Sequence, residues 1–342
     1  MDLNKLLFSL SETSCISGAG AASNIVFDAA KKFAPGAYRD SLGSIIAPVR
    51  TPKQGEPHVL LEAHMDEIGF VVTVIDEDGF LRVGKVGGPD LRILLGHEVT
   101  VYGKTPIFGV FCCRPPHLSS REDYKNAPKL DELAIDIGFD HDSACLRVSP
   151  GDYITLRKTP VSLLNGMVTG KAFDNRAGVA AVLRCLELCA EKARCGLTAA
   201  FTLGEELGCR GATTAAFAVA PTHAISVDVS FGVTPDAPRE KCGEMGKGPM
   251  IGVSPVLSRE ITAMLFSLAK EQNIPYQTEV MGGTTGTNAD VISISREGVA
   301  TGLVSIPLRY MHTAAETIVI DDVESTARLM AAAVERIGGE KA

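Results

Sequence analysis

Two textures of apolar and polar positions divide the chain. In residues 1–67 and again in 160–342, short apolar runs alternate with stretches of helical period. The first part carries helices at Asn4–Leu10 and Ala22–Phe33, separated by Ser17–Gly20. A buried strand at His58–Ala63 then ends at His64. The second part predicts a strand at 167–173 and a helix at Asn175–Lys192 with Val179, Val182, Leu183, Leu186 and Cys189 on one face. It continues with strand 198–203, a helix near 212–219, strand His223–Val229 and a Gly/Pro-rich stretch, Gly232–Gly252. Helix 258–272, strand 276–280, the loop Gly282–Thr287, strand Thr301–Ser305 and helix Asp322–Ile337 complete it. This alternation predicts an α/β fold, a mostly parallel sheet flanked by helices on both faces.

Residues 68–159 read differently. Short β-branched runs at Val71–Ile75, Leu81–Val83, Glu98–Tyr102, Ile107–Cys112 and Asp152–Leu156 are separated by turn residues. They predict a small all-β barrel inserted into the α/β domain. Arg114–Pro128 is polar and reads as an exposed loop, while 130–146 stays open between helix and strand. The α/β domain is therefore expected to be split, 1–67 and 160–342, around an insertion at 68–159.

Composition narrows the function classes. The 342 residues are 45% hydrophobic and 22% charged, with a net charge of -8 and no basic run, which argues against nucleic acid as a partner. No apolar run reaches the ~18 residues of a membrane span, and the first residues, MDLNKLLFSLSE, lack the parts of a signal peptide. Nine cysteines without framework spacing fit reduced thiols in a cytoplasm. Cys185 and Cys189, one helical turn apart, and the pair Cys112-Cys113 read as core residues, since no second Cys/His pair completes a zinc pattern.

The chemistry gathers where apolar runs end. Strand 198–203 closes on two adjacent acids, Glu205 and Glu206. Neighbouring carboxylates at a partly desolvated strand end repel one another and favour their neutral forms. A cation removes that difficulty, one acid binding it and the other handling a proton. His64, Asp174, Glu206, Asp228 and His312 all sit at element ends in the α/β part. Singly, each has an ordinary reading as a helix cap, a loop acid or a core histidine. Together, at one edge of one sheet, they make an imidazole and carboxylate set suited to two Zn²⁺ or Co²⁺ ions. Asp66, two residues past His64, is placed to accept from the ring nitrogen that does not bind metal and so to fix its orientation. His58, His97, His117, His141 and His223 lack such a pattern and read as structural or surface residues.

HMDEIGF at 64–70, GKAFDNRAG at 170–178, GEELGCRGA at 204–212, SVDV at 226–229 and RYMHTAAE at 309–316 occur in this order. In these motifs the chain resembles the glutamyl/deblocking aminopeptidases, the tetrahedral aminopeptidases of clan MH, some of which carry endoglucanase labels. The likeness runs over essentially the whole chain, including PPH at 115–117. It implies a zinc-exopeptidase-like fold in which Asp174 bridges two metals, His64 and Asp228 complete one site, and Glu206 and His312 the other. It also implies Glu205 as general base and acid, Asp66 as the group orienting His64, and a PDZ-like dimerisation insert in dimers that build tetrahedral dodecamers. The activity implied is removal of N-terminal residues from short peptides with a free amino terminus by a metal-activated water. One motif departs: Gly286-Thr287-Asn288-Ala289 stands where the family has Gly-Thr-Asp-Ala, which bears on the substrate end rather than on the five ligands.

Other dinuclear hydrolases (deacylase, dipeptidase, carboxypeptidase) and a non-catalytic assembly scaffold remain alternatives. A glycosidase would leave the histidines unused, and no nucleophile elbow is present. The resident metal stays open between Zn²⁺ and Co²⁺. So does the preferred N-terminal residue, for which an acid in the pocket would favour Lys or Arg, a cation Glu or Asp, and apolar walls Leu.

Overall fold

The computed structural model describes residues 1–16, 21–118 and 127–339. Helices α1 (Leu3–Glu12) and α2 (Ala21–Lys31) precede strands β1 (Tyr38–Arg39), β2 (Ile45–Arg50) and β3 (His58–His64). Then come β4 (Gly69–Ile75), β5 (Leu81–Val86), β6 (Glu98–Tyr102), β7 (Pro106–Cys112), β8 (Ala134–Asp136), the short helix α3 (His141–Cys145) and β9 (Tyr153–Leu156). The chain continues through β10 (Val161–Ser162), β11 (Met167–Gly170), α4 (Phe173–Cys189), β12 (Gly196–Thr202), α5 (Arg210–Val219) and β13 (His223–Phe231). It ends with β14 (Met250–Val253), α6 (Arg259–Glu271), β15 (Gln277–Val280), α7 (Ala289–Ser293), β16 (Ala300–Leu308), β17 (Glu316–Val319) and α8 (Ile320–Gly339).

Eight strands form one sheet in the order β1-β2-β12-β3-β13-β16-β14-β15. Its centre, β12, β3, β13 and β16, is parallel, so four carboxyl ends open on the same side. The period of two divides β3 cleanly. Val59, Leu61 and Ala63 join Val179, Val182, Leu183 and Leu186 of α4 and residues of α8 in the main core. Leu60 turns to the other face and meets Ala212, Ala215 and Ala216 of α5. Each fully buried Val or Leu contributes roughly 1.5–3 kcal/mol. The small alanines let α5 lie close to the sheet, and Gly211 is required at its start. A Cβ there would stand 2.4 Å from the carbonyl oxygen of Leu203. The loop carrying Glu205 and Glu206 is thereby pinned against the end of its own strand.

Six strands close a second body, a barrel in the order β4-β5-β8-β7-β6-β9 with antiparallel pairs throughout. Phe70 and Phe111 meet edge to face at 5.0 Å in its core. That core also buries Ala314, from the segment just after His312.

Several expectations shift in detail. The segment 130–146 holds both a strand, β8, and a helix, α3. The strand expected at 167–173 ends at Gly170 and belongs to a separate three-stranded sheet, β10-β11-β17, so Asp174 approaches the site from outside the main sheet. The Gly/Pro-rich stretch 232–252 contains the start of β14, and β13 runs past Asp228 to Phe231. Ser17–Gly20 and residues 119–126 of the Arg114–Pro128 loop lie outside the described residues. No described helix is long and apolar enough to cross a membrane.

Candidate active site

The carboxyl ends of the parallel strands deliver most of the site. His64 is the last residue of β3, Asp228 lies late in the neighbouring β13, and Glu205 and Glu206 follow β12. Asp174 comes from the first turn of α4, where Asp174 and Asn175 leave helical geometry and the peptide between them is cis. His312 follows β16 with a φ of 62°, in the left-handed region that a non-glycine residue adopts at a cost.

These side chains converge. His64 Nε2 lies 3.2 Å from Asp174 Oδ1 and 3.7 Å from Asp228 Oδ1. His312 Nε2 lies 3.3 Å from Asp174 Oδ2 and 3.3 Å from Glu206 Oε1. Two triangles of donor atoms result, His64–Asp174–Asp228 and Asp174–Glu206–His312, and in each the three atoms lie within 4.8 Å of one another. Both draw on Asp174, one oxygen each. Glu205 stands beside them, its Oε2 4.0 Å from His64 Nε2. Asp66 Oδ1 is 3.4 Å from His64 Nδ1. That approach misses hydrogen-bond geometry, and Nδ1 has no partner among the described residues. Asp66 instead accepts from the backbone N–H groups of Glu205 and Glu206, at 3.2 and 3.4 Å. It thus ties the β3 end to the loop after β12.

The electrostatics follow from burial. Burial raises the Glu205 carboxyl to about 8; His64 opposes the rise, and Asp228, Glu206 and Asp174 add to it. Burial also pushes Asp228 up. For Asp174, burial works in the same direction but is overcome by hydrogen bonds from His312 and His64, which hold it below the usual carboxylate range. Burial would lower His312, yet Asp174 and Glu206 draw it up to about 11. Four carboxylates facing two imidazoles in a cleft make a charge balance that a cation relieves. The donors are the nitrogen and oxygen ligands that Zn²⁺ and its neighbours prefer, with no thiolate among them.

Residues 43–329 match the family model described as M42 glutamyl aminopeptidase. The chain belongs to the M42 glutamyl aminopeptidase family. A lysyl aminopeptidase of Pyrococcus furiosus is 32% identical over 319 residues, 92% of this chain and 91% of its own length. An aminopeptidase of the archaeon Desulfurococcus kamchatkensis is 30% identical and superposes with a TM-score of 0.90 over 98% of this chain and 94% of its own. The TET1 peptidase of Pyrococcus horikoshii, which can assemble into a tetrahedron or a large octahedral shell, is 31% identical with a TM-score of 0.83 over 97% and 98% of the two chains. Membership makes this protein a peptidase, a hydrolase of peptide bonds, and implies use of divalent metal.

In this M42 chain three supports stand out that the sequence did not single out. Glu316, fully buried, accepts from the backbone N–H of Asp174 and of His312, each at 3.0 Å. It holds two converging loops at once, including the strained His312 backbone. Burial and the charge of Asp174 keep its carboxyl well above the ordinary range. Glu62 lies beneath His64 on β3. It receives the hydroxyls of Thr202 (2.7 Å) and Ser226 (2.6 Å) and the amide of Asn288 (2.7 Å). The Asn288 departure therefore falls under the site, where the amide donates to Glu62; an aspartate would set a second carboxylate against it. Third, Glu67, Lys171 and Arg176 form a buried ion network, with contacts of 2.7 and 3.2 Å. Arg176 also donates to the carbonyls of Leu10 and Met65, locking α1 and the His64–Glu67 turn to the start of α4. Within RYMHTAAE, the glutamate four residues past His312 was the available signal for Glu316. Nothing in the local pattern pointed to the other two.

Proposed function

We propose that this chain is a dinuclear metalloaminopeptidase that removes single residues from the free amino terminus of short peptides. The observation that carries the reading is the pair of donor triangles sharing Asp174, with Glu205 4.0 Å from the His64 nitrogen of the first. In this reading, His64, Asp174 and Asp228 would hold one Zn²⁺ or Co²⁺, and Asp174, Glu206 and His312 the second. Divalent ions supply Lewis acidity there, lowering the pKa of a water from 15.7 to about 7 and polarising a carbonyl. Glu205 takes the proton from the attacking water and delivers it to the departing amine. Largely buried and 4.0 Å from the His64 ring nitrogen, its carboxylate is placed for both transfers. Asp66 and Glu316 keep the ligands in place through the backbone groups that they accept from. The acidic lining of the cleft receives the substrate's α-ammonium, which an acetylated terminus lacks.

We further propose that the chains assemble into a tetrahedron, as the TET1 relative can, built from dimers through residues 68–159 as the motif resemblance implies, with 1–67 and 160–342 the catalytic domain. All nine cysteines are unpaired, in keeping with a cytoplasmic enzyme.

The test is hydrolysis of free and N-acetylated peptides by metal-stripped protein, before and after addition of Zn²⁺ or Co²⁺. Metal-restored release of single residues from free termini alone is expected. Cleavage of the acetylated set would point to a deacylase. Glu205→Gln should keep its metals and lose ~10² or more of the rate; undiminished turnover would remove Glu205 from the proton-transfer role.

A further inference from the structure

The family's names include both glutamyl and lysyl activities, so kinship does not choose the residue that is removed. The cleft itself carries an observation on this point. The two triangles open into a cavity of about 390 Å³ that Glu279 also lines. Among the described residues, Glu279 is the one charged lining residue besides the five ligands and Glu205, and neither Lys nor Arg lines the cavity.

Glu279 comes from β15 at the sheet edge. Its register partner on β14 is Gly252, so no side chain stands at that position between Glu279 and β16. Its carboxylate reaches Ser305 Oγ at 2.7 Å and also accepts from Ser230 Oγ. Ser305 pairs in register with Asp228, and Ser230 lies two residues beyond Asp228 on the same strand face. Adjacent strands lie ~4.8 Å apart, so the carboxylate stands on the order of 5–8 Å to the side of the ligand row. It forms no ion pair among the described residues. Two hydroxyl donors leave further lone-pair positions of the carboxylate unused. The cavity's walls mix apolar side chains, Val229, Met281, Leu303 and Met311, with the hydroxyls of Ser230 and Ser305. A partly apolar cleft that carries a carboxylate without an ion pair matches a side chain with a methylene stem and a cationic head.

We infer that Glu279 selects lysine or arginine as the N-terminal residue removed. This rests on the aminopeptidase reading above. The α-ammonium stays at the ligand cluster, the methylenes lie along the apolar walls, and the ε-ammonium or guanidinium meets Glu279. Glutamate and aspartate are disfavoured, because no described Lys or Arg lines the cavity to pair with their carboxylate and Glu279 repels it.

The test uses the metal-loaded, full-length protein and tripeptides X-Ala-Ala in which X is Lys, Arg, norleucine or Glu. Norleucine keeps the stem of lysine without its charge. Lys and Arg should exceed norleucine in kcat/KM by about 10-fold or more, the scale of one charged hydrogen bond, and Glu should be the poorest. Glu279→Gln, which keeps the size and can accept from one serine while donating to the other, should reduce the Lys-to-norleucine ratio by a similar factor. Should that variant fail to fold, the ratio in the unaltered protein still decides. Norleucine cleaved as well as Lys, or a variant that lowers all substrates by one factor, would overturn the selection while leaving the aminopeptidase standing. No hydrolysis of any free peptide with metals bound would defeat both.

Discussion

The two donor triangles share a carboxylate and little else. His64 and Asp228 lie on adjacent parallel strands deep in the sheet, and the His64 side chain is 1% exposed. Glu206 and His312 lie on loops, and the His312 side chain is 31% exposed. In the first triangle, two of the three donors come from the sheet. The second is clasped from outside by the barrel: His312 Nδ1 meets the carbonyl of Gly88 at 2.9 Å, Asp90 donates to the His312 carbonyl, and Ala314 is buried in the barrel core. The difference teaches that one half is preorganised by strand geometry, whereas the other depends on how two bodies sit together. A cation is accordingly expected to be held more tightly in the buried triangle and to exchange more readily from the open one.

Asp174→Ala tests that division most severely. It removes an oxygen from each triangle, so both ions should leave and the rate should fall by ~10³ or more, the several kcal/mol that a metal supplies. A variant retaining two ions on elemental analysis would mean that the triangles do not share this ligand. Arg176→Ala acts beneath the buried half. It strips Glu67 of a buried partner and frees the Met65 carbonyl next to His64. Urea unfolding should register a loss of about 3–5 kcal/mol, with weaker metal retention; unchanged stability would make the network incidental. Gly87→Ala acts on the open half alone. Gly87 has φ of 70°, and a Cβ there would meet Glu206 Oε2 and Ile68 Cγ2, both at 2.8 Å. Affinity for the second ion should fall by roughly 10-fold, with a stability cost of about 1 kcal/mol. Equal loss at both positions would erase the distinction.

Much of this was legible from the sequence, for a physical reason. A buried parallel strand reads as an apolar run, and in such sheets the carboxyl end is where ligands bind. His64, Glu206 and Asp228 announced themselves as the polar residues closing such runs. The barrel was equally plain, because short β-branched runs between turns have no helical reading. Strand β2 was missed because IIAPVR carries a proline and pairs antiparallel with β12. Asp174 was singled out, but not its route to the cluster, since pattern does not say which sheet a strand joins. Glu316 acts through Asp174, 142 residues away, and the Glu62 cluster joins four elements. Partnerships of that range have no local signature. Glu279, a polar residue on an exposed edge strand, looks like solvent-facing alternation until the register with Gly252 and Ser305 is known.

Anomalous diffraction from crystals of the metal-stripped protein soaked with limiting and then excess Zn²⁺ tests the two-metal site most directly. At about one equivalent the peak is expected among His64, Asp174 and Asp228, and at excess a second should appear among Asp174, Glu206 and His312. A single peak at saturation, or peaks outside both triangles, would contradict a dinuclear centre built on a shared Asp174.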